Sequence, residues 1–195
     1  NIMIKNQIKA IAFDIGGILT KTDFKKFYVK LKKLSKDYQI DSNKFHSLRV
    51  KYSKDSVVGK FSDYDFKKKI LNKLNVKNMK EFAKKWDNAL YFYMKLDKEI
   101  YSLIYKLKRN YILVSFSNVT PMFHKIRHKK GVYNHFKINL LSHQTKLKKP
   151  NLKFYKLLIN KAKVKSSEIV FIDDKKENLI PAKRLGMKTI LYKSN

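Results

Sequence analysis

The sequence predicts an α/β protein, a doubly wound parallel sheet carrying an inserted helical subdomain. Short apolar runs alternate with helix-like segments, the pattern of repeated β–α units. Three of those runs are apolar almost throughout, as strands covered on both faces are. After the first run, a long stretch of purely helical pattern, residues 24 to 96, interrupts the alternation.

The strands expected are IKAIAF (8–13), YILVSF (111–116) and EIVFI (168–172), with KINLL (137–141) and KTILY (188–192) as weaker candidates. Between and after them, helices are expected around 97–109, 120–130, 151–163 and 178–185, which completes a Rossmann-like alternation. In the last helix Asn178 is the expected N-cap and Gly186 the stop, with Pro181 tolerated in the first turn. The opening NIMIKNQIKAIAFD has a lysine inside its apolar part and no small-residue cleavage site, so it reads as a first strand rather than a signal peptide. Residues 1–23 and 97–195 are therefore assigned to the α/β core. Residues 24–96, with amphipathic stretches such as FKKFYVKLKKLSKDY and DFKKKILNKLNV, are assigned to a helical cap subdomain. The insertion leaves the sheet at the carboxyl ends of the strands, where open α/β sheets hold their ligands, so it is placed to act as a lid.

Composition sets the outer limits. At 195 residues the chain suits one domain with an insertion, and a 44% hydrophobic share supplies a core and argues against global disorder. The absence of cysteine removes disulfides, zinc–thiolate sites and thiol nucleophiles. No run approaches the ~20 apolar residues of a membrane span, so a soluble cytoplasmic protein is expected. The net charge of +31 admits a nucleic-acid or anionic-surface partner. A compositional origin is favoured, because the lysines are spread through every helical segment rather than gathered in one stripe. Oligomeric state is not legible.

The strand ends carry the chemistry. The stretch AFDIGGILTKTD places Asp14 at the end of the first strand, followed by two of the chain's five glycines. Ser117 and Asn118 end the second run, and Asp173 and Asp174 the third; Lys149 precedes a helix in LKKPN. If these strands are parallel neighbours, a carboxylate nucleophile, a hydroxyl, an ammonium group and further carboxylates meet in one crevice. Phosphoryl transfer needs such a set, since it depends on positioning and on charge stabilisation. Clustered carboxylates would repel a phosphate unless a hard cation such as Mg²⁺ stood between them. Glycines beside the nucleophile let backbone N–H groups approach the phosphate.

AFDIGGIL, VSFSN, KKPNLKFY and VFIDDKKENLIPAKRLGM, in that order, resemble the four motifs of the haloacid dehalogenase-like (HAD) hydrolase superfamily. The resemblance spans the chain, and residues 24–96 are similar in position and helical character to its small helical (C1-type) cap. It implies that Asp14 is the nucleophile and a metal ligand, and that residues 15–17, Gly16 and Gly17 among them, support phosphate and metal with their backbone. It implies further that Ser117 binds phosphate with Asn118 beside it, that Lys149 neutralises charge, and that Asp173 ligates Mg²⁺. Asp174 and Asn178 then fall around the metal.

One departure stands in the opening stretch. Most phosphatases of the family carry a second aspartate two residues after the nucleophile, as acid and then base; here that position is Gly16. This D-x-G-G variant recurs in a branch resembling sugar-phosphate phosphatases and haloacid dehalogenases, and Asp23 is the candidate substitute for the missing acid. The expected function is Mg²⁺-dependent hydrolysis of a small phosphorylated metabolite, a sugar phosphate or nucleotide, through an aspartyl-phosphate. The alternatives are a metal-independent 2-haloacid dehalogenase and a catalytically weak scaffold binding nucleic acid or a partner through its basic surface. The five histidines show no metal-ligand spacing, and His124 and His128 are expected on a solvated helix face. RHKK (127–130) is ordinary in this composition, while Trp86 and the aromatics of LYFYM (90–94) are expected as cap core.

Overall fold

The computed structural model describes residues 7–193, so the reading of residues 1–6 as part of a first strand lies outside the described residues. The chain begins with β1 (Ala10–Phe13) and β2 (Thr20–Thr22), followed by four helices: α1 (Phe24–Asp37), α2 (Ser42–Ser56), α3 (Asp63–Lys73) and α4 (Met79–Tyr93). It returns through β3 (Met94–Leu96), α5 (Lys98–Leu107), β4 (Ile112–Ser117), α6 (Pro121–Lys129) and β5 (Ile138–Leu141). It finishes with α7 (Ser142–Thr145), α8 (Leu152–Ala162), β6 (Ile169–Asp173), α9 (Lys176–Arg184) and β7 (Lys188–Leu191).

Five strands form one sheet in the order β5-β4-β1-β6-β7, all parallel. In β1, Ala12 stands beside Val114 on one side and Phe171 on the other. Alternation decides the two faces. Ala10 and Ala12 join Val114, Phe116 and Phe171 against Phe154, Tyr155 and Leu158 of α8. Ile11 and Phe13 join Leu113 and Ile104 of α5 on the other face. Apolar residues at every position of β1 thus reflect burial on both sides.

The helices begin where short polar side chains can take up free N–H groups. Asp23, Asp41, Ser62, Asn78 and Asp97 cap α1 to α5 in this way. The last helix differs from expectation. It starts at Lys176, so Asn178 lies inside it and Pro181 is interior rather than in the first turn. Asn178 is free for this because its amide is committed elsewhere, as described below. The C-terminal end is as read: Gly186 has φ +84°, and the N–H groups of Gly186 and Met187 close on the carbonyls of Lys183 and Ala182.

The regular structure of residues 24–93 is four helices joined by short turns, and α1 to α4 enclose a cluster centred on wholly buried Phe27, Phe82 and Trp86. Two features were not anticipated. A two-stranded antiparallel ribbon, β2 with β3, ties the entry and exit of the helical segment together. Helix α6, which follows β4 of the main sheet, sends Met122 and Ile126 into the helical cluster. Beside them Lys125 bonds Asp63 and Asp87, and Asp87 and Asp63 also hold the buried Lys67. The bundle therefore rests on α6 through apolar and ionic contacts together. In LYFYM the core positions are Leu90 and Met94; of its aromatics Tyr93 packs partly against the cluster, while Tyr91 and Phe92 are exposed, since they fall on the outward side of α4.

Candidate active site

Asp14 directly follows β1, Ser117 closes β4 and Asp173 closes β6. Because β4 and β6 are the parallel neighbours of β1, all three residues reach the carboxyl edge of the sheet together. A cleft of about 520 Å³ opens there. Its lining includes Asp14, Gly16, Gly17, Lys149 and Asp174, together with Phe24, Phe123 and Arg127. Phe24 lies 6.3 Å from Phe123 and stacks on Tyr28 at 5.8 Å, so one wall is aromatic.

Asp14, Asp173 and Asp174 each offer a carboxylate oxygen within 4.8 Å of the others. Lys149 stands among them, its Nζ 3.0 Å from Asp14 Oδ1 and 2.6 Å from Asp173 Oδ2. The resemblance implies Asp173 as a metal ligand with Asp174 beside it, and in the structure both oxygens of Asp173 also accept hydrogen bonds from the protein. Asn178 Nδ2 donates to both of them, at 2.9 and 3.1 Å, and the Lys175 N–H donates to Oδ1. Asp173 is fully buried. Asp174 differs: its Oδ1 is buried and has no hydrogen-bond partner. Burial, with the charges of Asp14 and Asp173, pushes its pKa up. A carboxylate with an unpartnered oxygen, standing beside two other carboxylates, fits a cation that Asp14 and Asp174 would hold. Asp173 then orients Lys149.

The two glycines have different reasons. Gly17 has φ +81°, and a Cβ there would lie 2.2 Å from Asp174 Oδ2. The room expected for phosphate beside Gly17 is filled by that carboxylate. At Gly16 a Cβ would lie 2.9 Å from Nη2 of Arg127. Arg127 comes from α6 and is only 6% exposed. Its Nη1 donates to Ser117 Oγ at 3.3 Å, and its Nε has no partner. Ser117, expected to hold phosphate with its hydroxyl, is instead covered by this guanidinium, because α6 packs back over the end of β4. Asn118 lines the cleft, but its amide is used on Lys149: Nδ2 donates to the Lys149 carbonyl and Oδ1 accepts from the Lys149 N–H. It splints the lysine loop to the end of β4.

Asp23 is not part of the cleft. It caps α1 by accepting from the Lys26 N–H, and this bond holds its carboxyl below the usual value. His124 is not on a solvated face either. Its ring lies 4.8 Å from His143 and 5.3 Å from Tyr133, and burial pulls its pKa down to about 4. Among the described residues Asp14, Asp173 and Asp174 are the acids that stand close enough together to surround a cation, and no helix is long and apolar enough to cross a membrane.

Arg127 was missed. One signal was available: arginine occurs at only four positions, 49, 109, 127 and 184, in a chain that otherwise uses lysine for positive charge. A guanidinium offers a rigid fork of donors that an ammonium does not.

A family model for haloacid dehalogenase-like hydrolases matches residues 8–186. D-ribitol-5-phosphate phosphatase of Bacteroides thetaiotaomicron is 26% identical, over 93% of this chain and 90% of the relative. Sesquiterpene phosphatase astK of Aspergillus oryzae is 31% identical over 93 residues, so the match spans 47% of its length. A match to the bifunctional epoxide hydrolase 2 of Rattus norvegicus spans 11% of that protein. Among solved structures, a HAD family enzyme from B. thetaiotaomicron superposes with a TM-score of 0.81 at 24% identity, covering 96% of this chain and 94% of its own. The same enzyme in complex with magnesium and inorganic phosphate superposes at 0.79.

Proposed function

Since the chain belongs to the haloacid dehalogenase-like hydrolases, we propose that it is a Mg²⁺-dependent phosphatase of a small phosphorylated metabolite, a sugar phosphate or a nucleotide. The observation that carries this reading is the bridging of Asp14 and Asp173 by Lys149 beside the unpartnered Asp174 oxygen. A metal-free hydrolase has no use for a third carboxylate held in that position. The likeness to D-ribitol-5-phosphate phosphatase, over 93% of this chain and 90% of that relative, supports the same reading.

Asp14 attacks phosphorus, the bond to the leaving oxygen breaks, and an aspartyl-phosphate forms that water then hydrolyses. Lys149 holds the nucleophile and offsets charge on the phosphoryl oxygens; Asp173 and Asn178 fix the position of Lys149. Asp14 and Asp174, with the backbone of Gly16, would hold Mg²⁺, which supplies positive charge to the transferring group. The aromatic wall of Phe24 and Phe123 suits the face of a sugar or base. Helices α1 to α4 act as the cap and supply specificity, and a chain without cysteine suits the reducing cytoplasm.

The test is phosphate release from sugar phosphates, nucleotides and p-nitrophenyl phosphate, with Mg²⁺ and with EDTA, for the wild type and Asp14→Asn. Release that requires Mg²⁺ and is lost in the variant is expected. No release from any substrate sinks the reading, and release of halide from 2-haloacids in EDTA replaces it with the dehalogenase.

A further inference from the structure

We propose that Arg127 takes over the leaving-group side of the reaction from the acid that Gly16 lacks, and that it does so without transferring a proton. The inference rests on the phosphatase reading and narrows its substrate class.

Three observations converge on this residue. The direction in which a side chain at position 16 would grow ends 2.9 Å from Arg127 Nη2, so the guanidinium fills the volume an acid at that position would enter. Arg127 lines the same cleft as Asp14 while being 6% exposed. Among the described residues no carboxylate pairs with it: its side-chain neighbours are two neutral hydroxyls, Ser117 at 3.3 Å from Nη1 and Tyr133, and its Nε is unpartnered. A buried cation without an anion is costly. An anion arriving in the cleft supplies what is missing.

The chemistry follows from the donor. A guanidinium stays protonated at any working pH and cannot serve as a general acid. It can direct N–H groups at an oxygen whose negative charge grows as its bond to phosphorus breaks. In the balanced step, Asp14 forms a bond to phosphorus, the P–O bond breaks, and its electron pair leaves on the departing oxygen. Arg127 stabilises that oxygen as an anion, and solvent protonates it afterwards if it needs a proton at all. Such a site favours leaving groups that are stable as anions near neutral pH. Of the two classes proposed above, the substrate is therefore a nucleotide carrying a phosphoanhydride, a nucleoside di- or triphosphate, with acyl phosphates and acidic phenols as synthetic equivalents, rather than a sugar phosphate or other phosphate of an ordinary alcohol.

The test is a linear free-energy plot. Log kcat/KM is measured against leaving-group pKa for acetyl phosphate, a series of aryl phosphates and glycerol phosphate. Wild type, Arg127→Lys, Arg127→Met and Gly16→Asp/Arg127→Met are compared, with thermal melting as the check of folding. Wild type should act best on acetyl phosphate. Arg127→Met should lose about 10²- to 10³-fold on the poorest leaving groups and markedly less on the best, steepening the plot. Arg127→Lys should fall between the two. Restoring an acid in the double variant should flatten the plot, because proton transfer removes the need for an acidic leaving group. An equal loss across the whole series would mean that Arg127 only holds structure or phosphate, and would overturn the proposal while leaving the phosphatase intact. A flat wild-type plot would overturn it too. If Arg127→Met does not fold, an unchanged slope in Arg127→Lys decides against it. A wild type inactive on every substrate overturns the phosphatase reading and this inference with it.

Discussion

Lys149 Nζ stands 2.6 Å from Asp173 Oδ2, with both side chains out of reach of solvent. An ion pair in that setting is sensitive to the loss of either member, because the survivor is a buried charge. Lys149→Met should therefore destabilise the fold by about 3 to 5 kcal/mol and abolish turnover. Chemical denaturation with unchanged m would register the first effect and a phosphate-release assay the second. Lys149→Arg should not rescue activity, since a planar fork cannot replace a compact ammonium between two carboxylates.

Asp14→Asn separates chemistry from stability. The variant loses the nucleophile and with it more than about 10³-fold in kcat. It also removes one of the negative charges that push Asp174 up. Its melting temperature should accordingly be close to that of the wild type, and a large drop would show that Asp14 is mainly structural.

Metal binding should be readable as stability without any assay of activity. Mg²⁺ at a hundred times its Kd adds about 2.7 kcal/mol to a protein that binds it only when folded. Asp174→Asn should abolish most of that increment in a thermal-shift titration. Asp173→Asn should weaken it less and should instead loosen Lys149. Equal effects from the two variants would return Asp173 to the metal.

Gly17→Ala combines two penalties. The position has φ +81°, and the added methyl would meet Asp174 Oδ2 at 2.2 Å. Backbone strain of this kind costs about 1 to 3 kcal/mol, and relief of the clash must move Asp174. The variant should lose stability and Mg²⁺ affinity together, which a calorimetric titration would report.

His124 gives a pH dependence with a definite sign. Burial lowers its pKa from 6.5 to about 4, so in the interval between those values the unfolded chain binds a proton that the folded chain refuses. Stability from this group is complete above pH 6.5 and is lost as pH falls toward 4. His124→Phe should flatten that part of a stability–pH curve. An unchanged slope would assign the effect to His143, whose pKa burial also lowers.

The sheet was legible because burial on both faces leaves its mark on every residue, and the runs at β1, β4 and β6 needed nothing else. Asp14, Ser117, Lys149, Asp173 and Asp174 were legible as neighbours because they stand at or beside ends of elements whose order fixes where those ends go. What the sequence hid was the outcome of competition between neighbours. Nothing local distinguishes Asp173 from Asp174; the difference arises when Asn178, five residues on, turns its amide onto one of them. Asn118 looks like a ligand for phosphate until a loop 31 residues away claims both ends of its amide. Arg127 was hidden among basic residues, and its meaning depends on a missing side chain 111 positions earlier. The β2–β3 ribbon, three residues in each strand, is too short to show a period.

Helix α6 gives Met122 and Ile126 to the bundle and Arg127 to the cleft, all within six residues. It is one lever with two loads. A tilt of the bundle to admit a bulkier metabolite would turn the guanidinium as well, so on the proposed role of Arg127 accommodation and reactivity would change together. For anyone grafting a foreign cap onto this sheet, cuts near residues 23 and 97 are therefore not enough. The recipient must also receive the apolar side of α6, and with it a new setting of the arginine beside the nucleophile.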